Sequence, residues 1–292
     1  KVVPPFPVQK ISTAWSLHDA NWFFDYPASA KKIAWFYEKT GGASVDGVIA
    51  ITPELLEKFL ALTGSLALPG YGIELTQESF RDELSLLIEE GMPKKEGESP
   101  KVILRDIGTL LVEALQARLA TPHAGVKEML AVFGEAFTQK DIMLWLKEPA
   151  IEKFLVDRGL GGAVAQPNGD YLAVVNANVG GGKSDAFMKQ NISLSSSIGD
   201  DGDVTHNLTV KRTHQGQKEK ESWYRAVNRN FLKVFTHPDS RLEVLTGSTP
   251  KKIGARINYD KAGYTRDANL KAVEDTREVL EKFGAETRKE SG

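Results

Sequence analysis

Residues Trp15–Gly70, WSLHDANWFFDYPASAKKIAWFYEKTGGASVDGVIAITPELLEKFLALTGSLALPG, decide the fold reading. They spell helix, strand, helix and strand, with punctuation at each junction. Pro27 suits a first helical turn, where a missing N–H is harmless. Ile33, Phe36 and Tyr37 recur at helical spacing, with Lys31, Lys32, Glu38 and Lys39 opposite. Gly41 and Gly42 stop this helix. Val45 to Ile51 is a short apolar run that reads as a buried strand, with Ile49 and Ile51 inside. Thr52-Pro53-Glu54 supplies a capping hydroxyl, a proline at the first helical position and an acid in the first turn. Leu55, Leu56, Phe59, Leu60 and Leu62 give the second helix a wide apolar face, and Thr63-Gly64 ends it. Leu66 to Leu68 resumes as a strand.

Around this block the chain has 292 residues, 41% hydrophobic and 26% charged, enough to bury one large core or two smaller ones. The net charge is −2 with Lys and Arg scattered, which argues against nucleic acid or an anionic membrane surface as partner. Cysteine is absent, which removes disulfides, thiolate nucleophiles and Cys-ligated metals. No apolar run is long enough to span a bilayer. The opening KVVPPFPVQK has neither an initiator Met nor a signal-like apolar core, and reads as the start of a piece excised from a longer protein.

Residues 1–14 are Pro-rich and read as extended. A third helix follows from Ile73, with Thr76 as cap and Phe80, Leu84, Leu87 and Ile88 inward. GMPKKEGESP at 91–100 is a polar loop. Lys101 to Leu119 carries the strongest helical stripe, made of Ile103, Ile107, Leu110, Leu111, Ala114 and Leu115. A helix over about 124–137 and a strand over Asp141 to Leu146 complete an α/β domain at 1–160. Composition changes near Gly159-Leu160-Gly161-Gly162. The region 161–292 is β-rich, with strands at Tyr171–Asn176, Ile192–Ile198, Val204–Thr213 and Arg241–Leu245. Gly199 to Asp203 makes a hairpin turn, and the charged tail has Leu270, Val273, Leu280 and Phe283 at helical spacing.

Ala177-Asn178-Val179-Gly180-Gly181-Gly182-Lys183-Ser184 satisfies a relaxed phosphate-loop pattern, with Lys183 and Ser184 in the key positions. That chemistry also needs a sustained helix after the Lys and a later strand ending in a Mg²⁺-binding Asp. Only Asp185 to Gln190 is available before NISLSSSI turns strand-like, so the stretch reads as a glycine-rich turn and a decoy for an ATPase. Asp19 and Asp25 stand among aromatics, where two carboxylates can hold Mg²⁺ or act as acid and base, or can cap local backbone. The five histidines share no metal-ligand spacing, and no metal or resident cofactor is expected. Ser195-Ser196-Ser197 reads as the polar side of a strand, and no Ser-His-Asp set stands out.

The stretches DANWFFDYPASA (19–30), VDGVIAITPELLEKFLALTGSLALPG (45–70), YLAVVNANVGGGKSDAFMKQNISLSSSI (171–198) and WYRAVNRNFLKVFTHPDSRLEVLTG (223–247) resemble the bacterial domain-of-unknown-function family 4012. That family is distantly similar to the LytR-CpsA-Psr envelope proteins. Those are phosphotransferases that move polymers from polyprenyl-pyrophosphate carriers to the cell wall. The resemblance implies a LytR-CpsA-Psr-like αβα domain followed by a smaller β-rich region. It also implies an extracytoplasmic location in the cell envelope, held at the membrane by an upstream anchor. The enzymes place several arginines before their long helix. Here that start offers Lys101 and Arg105, with Asp106 next in line. The resemblance therefore favours a non-catalytic module that binds an envelope polymer or a surface protein. Phosphotransfer is its alternative, with Asp19, Asp25, Arg105 and Lys101 as candidate catalytic groups and Mg²⁺ as the cofactor. In the favoured non-catalytic reading Arg105 is expected to turn to solvent or to a local acid such as Asp106 or Glu113.

Overall fold

A computed structural model describes residues 1–91, 102–120, 124–165, 169–247 and 254–290. Lys101, His123 and nearly all of the polar stretch 91–100 lie outside the described residues. The chain forms two compact units. One is Phe23–Val164. The other joins Lys1–Trp22 to Ala165–Ser291. The boundary thus falls close to the composition change, but the first 22 residues group with the β-rich unit rather than with the α/β unit.

The Phe23–Val164 unit mixes helix and strand. Its elements are α1 (Tyr26–Lys39), β1 (Gly47–Ile51), α2 (Pro53–Thr63), β2 (Leu66–Leu68), β3 (Ile73–Leu75), α3 (Phe80–Leu86), α4 (Val102–Leu119), α5 (Ala124–Gln139), β4 (Ile142–Leu146) and α6 (Pro149–Asp157). The block read from sequence is all present, and Gly41 and Gly64 end their helices at φ 96° and 89°. Antiparallel β1 and β4 pair with Gly47 opposite Leu146 and Ile51 opposite Ile142. On one face, Val48, Ala50, Met143 and Trp145 pack against Tyr26, Ala30 and Ala34 of α1. On the other, Ile142 and Leu144 join the main core, built from Leu55, Phe59, Leu60, Leu68, Leu75, Phe80, Ile103, Ile107, Leu111 and Met129. The predicted stripe of α4 is therefore its buried face.

Three details differ from the sequence reading. Ile49 and Ile51 are 68% and 53% exposed, not buried. They share the face of Ile142 and Leu144, but the core helices cover β4, and β1 is the outer strand of the pair. Apolar character identified the strand, whereas the phase of its alternation followed Val48 and Ala50. On α1 the buried row is Tyr26, Ala30 and Ala34, spaced four apart. Tyr37, near the end of the helix, is exposed, and Lys32 is buried, its ammonium 5.3 Å from the Trp35 ring centre. Thr52 makes no side-chain cap to α2; its hydroxyl donates to Asp141 Oδ1 at 2.9 Å. The predicted third helix begins with a short strand at Ile73. Thr76 and Ser79 then exchange backbone-to-hydroxyl bonds of 3.1 Å at the helix start.

The second unit contains β5 (Leu172–Asn178), β6 (Met188–Ile198), β7 (Val204–His214), α7 (Ser222–Arg225), β8 (Asn230–Thr236), α8 (Ala268–Glu274), β9 (Glu278–Leu280) and β10 (Ala285–Thr287). The pairs β5–β8, β6–β7 and β9–β10 are antiparallel. Arg241 to Leu245 is not a strand. Among the described residues no strand pairs with it, and Val244 is 72% exposed. Among the described residues the tail is α-helical only over α8, with a 3-10 turn at Glu281–Phe283. Leu280 and Phe283 lie in the β9–β10 hairpin, which Gly284 turns at φ 60°.

The Pro-rich opening is a packed element of this unit. Val3 N–H donates to the Thr265 carbonyl at 2.9 Å, and Thr265 N–H returns to the Lys1 carbonyl at 3.0 Å. Val3, Pro4, Pro5, Pro7 and Val8 are buried. Prolines have no N–H to satisfy and little freedom to lose, which suits them to a buried irregular segment. This packing is the physical reason the segment leaves the unit that follows it in sequence. Among the described residues, no helix is long and apolar enough to cross a membrane.

Candidate functional site

Asp25, Arg81, Arg105 and Arg118 are each held by local partners. Asp25 is 5% exposed and caps α1: its Oδ2 accepts from Ala28 N–H at 3.0 Å, and its Oδ1 from Val164 N–H at 3.0 Å. Both oxygens thus serve backbone donors of the same unit. Arg105 is three-quarters exposed, and its Nε and Nη2 lie 3.3 Å from Asp106 Oδ1. Asp106 also accepts from the Tyr71 hydroxyl at 2.7 Å, which with Arg105 holds its carboxyl below the usual range. Arg81 pairs with Glu54 at 2.8 Å and with Glu57, and Arg118 pairs with Glu128. Asp19 ends a 3-10 turn of the other unit, where its carbonyl accepts from Trp15 Nε1 at 2.8 Å. The structure does not gather these groups around one basic cleft within the Phe23–Val164 unit.

The glycine-rich loop is tied by amide side chains. Asn178 Oδ1 accepts from Gly180 N–H at 2.9 Å, and its Nδ2 donates to the Gly182 carbonyl at 3.2 Å. Ser184 is fully buried, and its hydroxyl accepts from Asn178 and Asn228 at 3.3 and 3.2 Å. After Lys183 comes a single 3-10 turn, Ser184–Phe187, and then β6. No α-helix N-terminus follows the lysine to receive a phosphate.

The β6–β7 register brings together a set that the sequence reading passed over. Ser196 stands opposite His206, with Oγ 2.7 Å from Nδ1, and His206 Nε2 meets the Asp170 carboxylate. A hairpin register and a distant Asp make this line-up, so spacing alone cannot reveal it. All three residues are exposed, Ser196 and His206 on the hairpin and Asp170 just before β5, without the water-excluding walls that acyl transfer uses.

The cavity that does gather polar groups lies in the β-rich unit. It has a volume of about 390 Å³, and its walls include Phe6, Gln9, Tyr259, Arg266, Glu274 and Arg277, with Arg288 beside them. Each wall has a local cause. The buried Pro-rich segment presents Phe6 and Gln9, and the Gln9 amide is fixed by a 3.0 Å bond to the Pro4 carbonyl. Asp267 caps α8 through Leu270 N–H at 3.1 Å, and that helix carries Glu274 at its end. The β9–β10 register, Ala285 opposite Leu280, extends to place Arg277 across from Arg288. Glu286 bridges them, with Oε2 2.5 Å from Arg277 Nε and Oε1 2.5 Å from Arg288 Nη2. Arg266 lies 3.2 Å from Asp260, and Arg277 sits over the Phe6 ring.

Three buried atoms of these lining residues lack a hydrogen-bond partner: Tyr259 Oη, Glu274 Oε1 and Arg288 Nε. Such orphans are rare, because each costs about 1–3 kcal/mol. Burial pushes the Glu274 carboxyl up, against the pull of Arg288 and Arg266. Burial also raises the Tyr259 phenol, with Tyr264 adding to the shift.

Residues 6–86 match a family model described as a protein of unknown function, DUF4012. No curated protein and no solved structure matches the chain. The DUF4012 match begins in the Pro-rich segment of one unit and runs through α3 of the other. It therefore covers Phe6 and Gln9 of the cavity, together with Asp19 and Asp25. The resembling stretches 171–198 and 223–247, and the wall from Ala255 to Arg288, lie outside it. The sequence reading missed that wall because its residues come from the two ends of the chain. The available signal was three arginines spaced eleven apart, Arg266, Arg277 and Arg288, in a tail read as charged and helically spaced.

Proposed function

We propose that this protein is a non-catalytic module of the bacterial cell envelope that binds a surface polymer in the cavity of its β-rich unit. In this reading it works outside the cytoplasmic membrane, held there by a segment upstream of Lys1. Its Phe23–Val164 unit is a relative of the LytR-CpsA-Psr domain that keeps the frame without the pyrophosphate chemistry. The observation that carries the reading is the cavity itself. It gathers three guanidinium groups and the Phe6 ring around one opening, which is a means of binding. Against phosphotransfer stand Asp25, whose two oxygens serve backbone N–H groups, and Arg105, which faces Asp106. A pyrophosphate site needs several fixed cations converging on one place, with a carboxylate left for the metal.

The test is titration of the chain with polymer extracted from a bacterial envelope, alongside an assay with a polyprenyl-pyrophosphate donor. Saturable polymer binding that weakens in Arg277→Ala, with no consumption of the donor, is the expected outcome. Donor turnover abolished by Asp25→Asn or Arg105→Ala would replace this reading with the phosphotransferase one.

A further inference from the structure

We infer that Ser196 is an acyl-acceptor site, a hydroxyl set up to take the acyl group of a small activated ester. This goes beyond the polymer-binding reading and does not rest on it. Three observations carry it. The first is the base. The β6–β7 register sets Ser196 directly across from His206, with Oγ 2.7 Å from Nδ1. Both side chains stand on paired strands, so the contact needs no loop to close. The second is the tautomer. His206 Nε2 meets Asp170 Oδ2, while Asp170 Oδ1 accepts from Tyr171 N–H at 2.8 Å. The bond from Tyr171 N–H and then the one from His206 hold this carboxyl below its usual range, so it stays an acceptor. A neutral His206 ring then keeps its proton on Nε2 and leaves Nδ1 to accept from the Ser196 hydroxyl. That is the arrangement a general base needs. The third is selectivity within one strand. Ser193, Ser195 and Ser197 alternate onto the other face of the ribbon, across from Thr209, Asn207 and Thr205, none of which is a base.

The step balances without a cofactor. His206 Nδ1 takes the Ser196 proton as Oγ bonds to the acyl carbon. The bond from that carbon to the leaving oxygen breaks, and the leaving oxygen takes the proton from Nδ1. An ester of Ser196 and an alcohol or phenol result. Exposure of all three residues admits the donor but offers no walls to hold it, so the activation has to come with the ester.

The experiment is incubation of the whole chain with p-nitrophenyl acetate, with acetyl groups located by peptide mass mapping and p-nitrophenolate release followed in time. Ser196 should be acetylated roughly a hundredfold faster than Ser193, Ser195 or Ser197, the lower end of what a positioned general base supplies. Those three serines are controls within the unaltered chain, so this result depends on no variant folding. The rate should rise with pH as the His206 imidazole loses its proton. Ser196→Ala should remove the acetyl group, and His206→Gln should slow Ser196 to the rate of its neighbours. Asp170 is a positioning residue that acts through His206. Asp170→Asn can turn its amide N–H to Nε2 and drive the ring proton to Nδ1, so it should lower the rate severalfold, and Asp170→Glu should recover most of it. Equal acetylation of all four serines would overturn the inference, as would acetylation of Ser196 that His206→Gln leaves unchanged. A His206-dependent release of p-nitrophenolate that Ser196→Ala leaves unchanged would also overturn it, since His206 would then be the nucleophile itself.

Discussion

Asp25 and Asp141 of the Phe23–Val164 unit differ from Glu274 of the β-rich unit in how fully the fold answers their carboxyl oxygens. In the Phe23–Val164 unit, Asp25 receives two backbone N–H groups, and Asp141 receives the Thr52 hydroxyl at 2.9 Å and the Lys58 ammonium at 2.8 Å. In the β-rich unit Glu274 ends a short helix with one oxygen buried and unpartnered. A carboxyl whose lone pairs are all answered by the fold belongs to the fold. One left with an unanswered oxygen, as at Glu274 and at Glu152 of the other unit, costs the fold stability. Mutation tests the contrast directly. Asp25→Ala removes a helix cap, worth about 1 kcal/mol, and strands Val164 N–H, worth about 1–3 kcal/mol, so the unit should lose about 3 kcal/mol. Glu274→Gln keeps size, removes a charge that burial disfavours, and should leave stability unchanged or slightly raised. Urea melts of both variants measure this. A Glu274→Gln protein as damaged as Asp25→Ala would erase the distinction.

The exposed edge of β1 sharpens the same point for apolar groups. Val48 faces α1, whereas Ile49 projects where no helix covers it. Val48→Ala should cost about 1 kcal/mol, and Ile49→Ala should stay within about 0.5 kcal/mol, although isoleucine loses more atoms. Thermal midpoints for the pair decide whether the observed phase of the strand is right. A larger loss at Ile49 would restore the inward phase expected from sequence.

Legibility followed the range of the interactions. The block from Trp15 to Gly70 was readable because caps, prolines, glycines and helical stripes act within a few residues. Asp25 as a cap lay within that range, as did Asp106 as the partner of Arg105. Ile49 was misread because an apolar strand does not say which of its faces is covered, a fact fixed by β4 about a hundred residues later. The opening prolines, Arg277 opposite Arg288, and Asp170 against His206 all depend on pairings between distant segments. Leu280 and Phe283 kept helical spacing by coincidence, and the positive φ of Gly284 turned them into a hairpin instead.

Opposite pH responses follow from the first contrast. Burial by itself would raise Asp141, but hydrogen bonds from Lys58 and Thr52 bring its folded pKa below the usual value. Its contribution to stability is therefore present above the ordinary aspartate range and is lost as pH falls through the lowered folded value. Glu274 is raised in the folded state, mainly by burial. Its contribution is present below the ordinary glutamate value and is lost as pH rises through the raised folded one. Asp141→Asn should flatten the acid side of the stability profile, and Glu274→Gln should flatten the descent above the ordinary glutamate value. Chemical melts across a pH series separate the two. Identical profiles for parent and Glu274→Gln would mean that its carboxyl is not held apart from water.

The smallest expected effect concerns Lys183. The loop around it is shaped by Asn178, Asn228 and a buried Ser184, and Gly181 takes φ 81° between them. A phosphate-binding loop needs its serine hydroxyl free for Mg²⁺, and here that oxygen accepts from two amides. It also needs several helical turns after the lysine, and four residues of 3-10 helix supply one. Mg-ATP should accordingly leave the thermal midpoints of parent and Lys183→Ala alike, since only a ligand that prefers the native state shifts the transition. Asn178→Ala is the useful companion, because it loosens the loop without touching the lysine. It should cost about 1–2 kcal/mol by leaving Gly180 and Arg229 N–H groups without their acceptor. An ATP-dependent rise in the parent that Lys183→Ala lacks would show that the amides shape the loop for a nucleotide rather than for the fold.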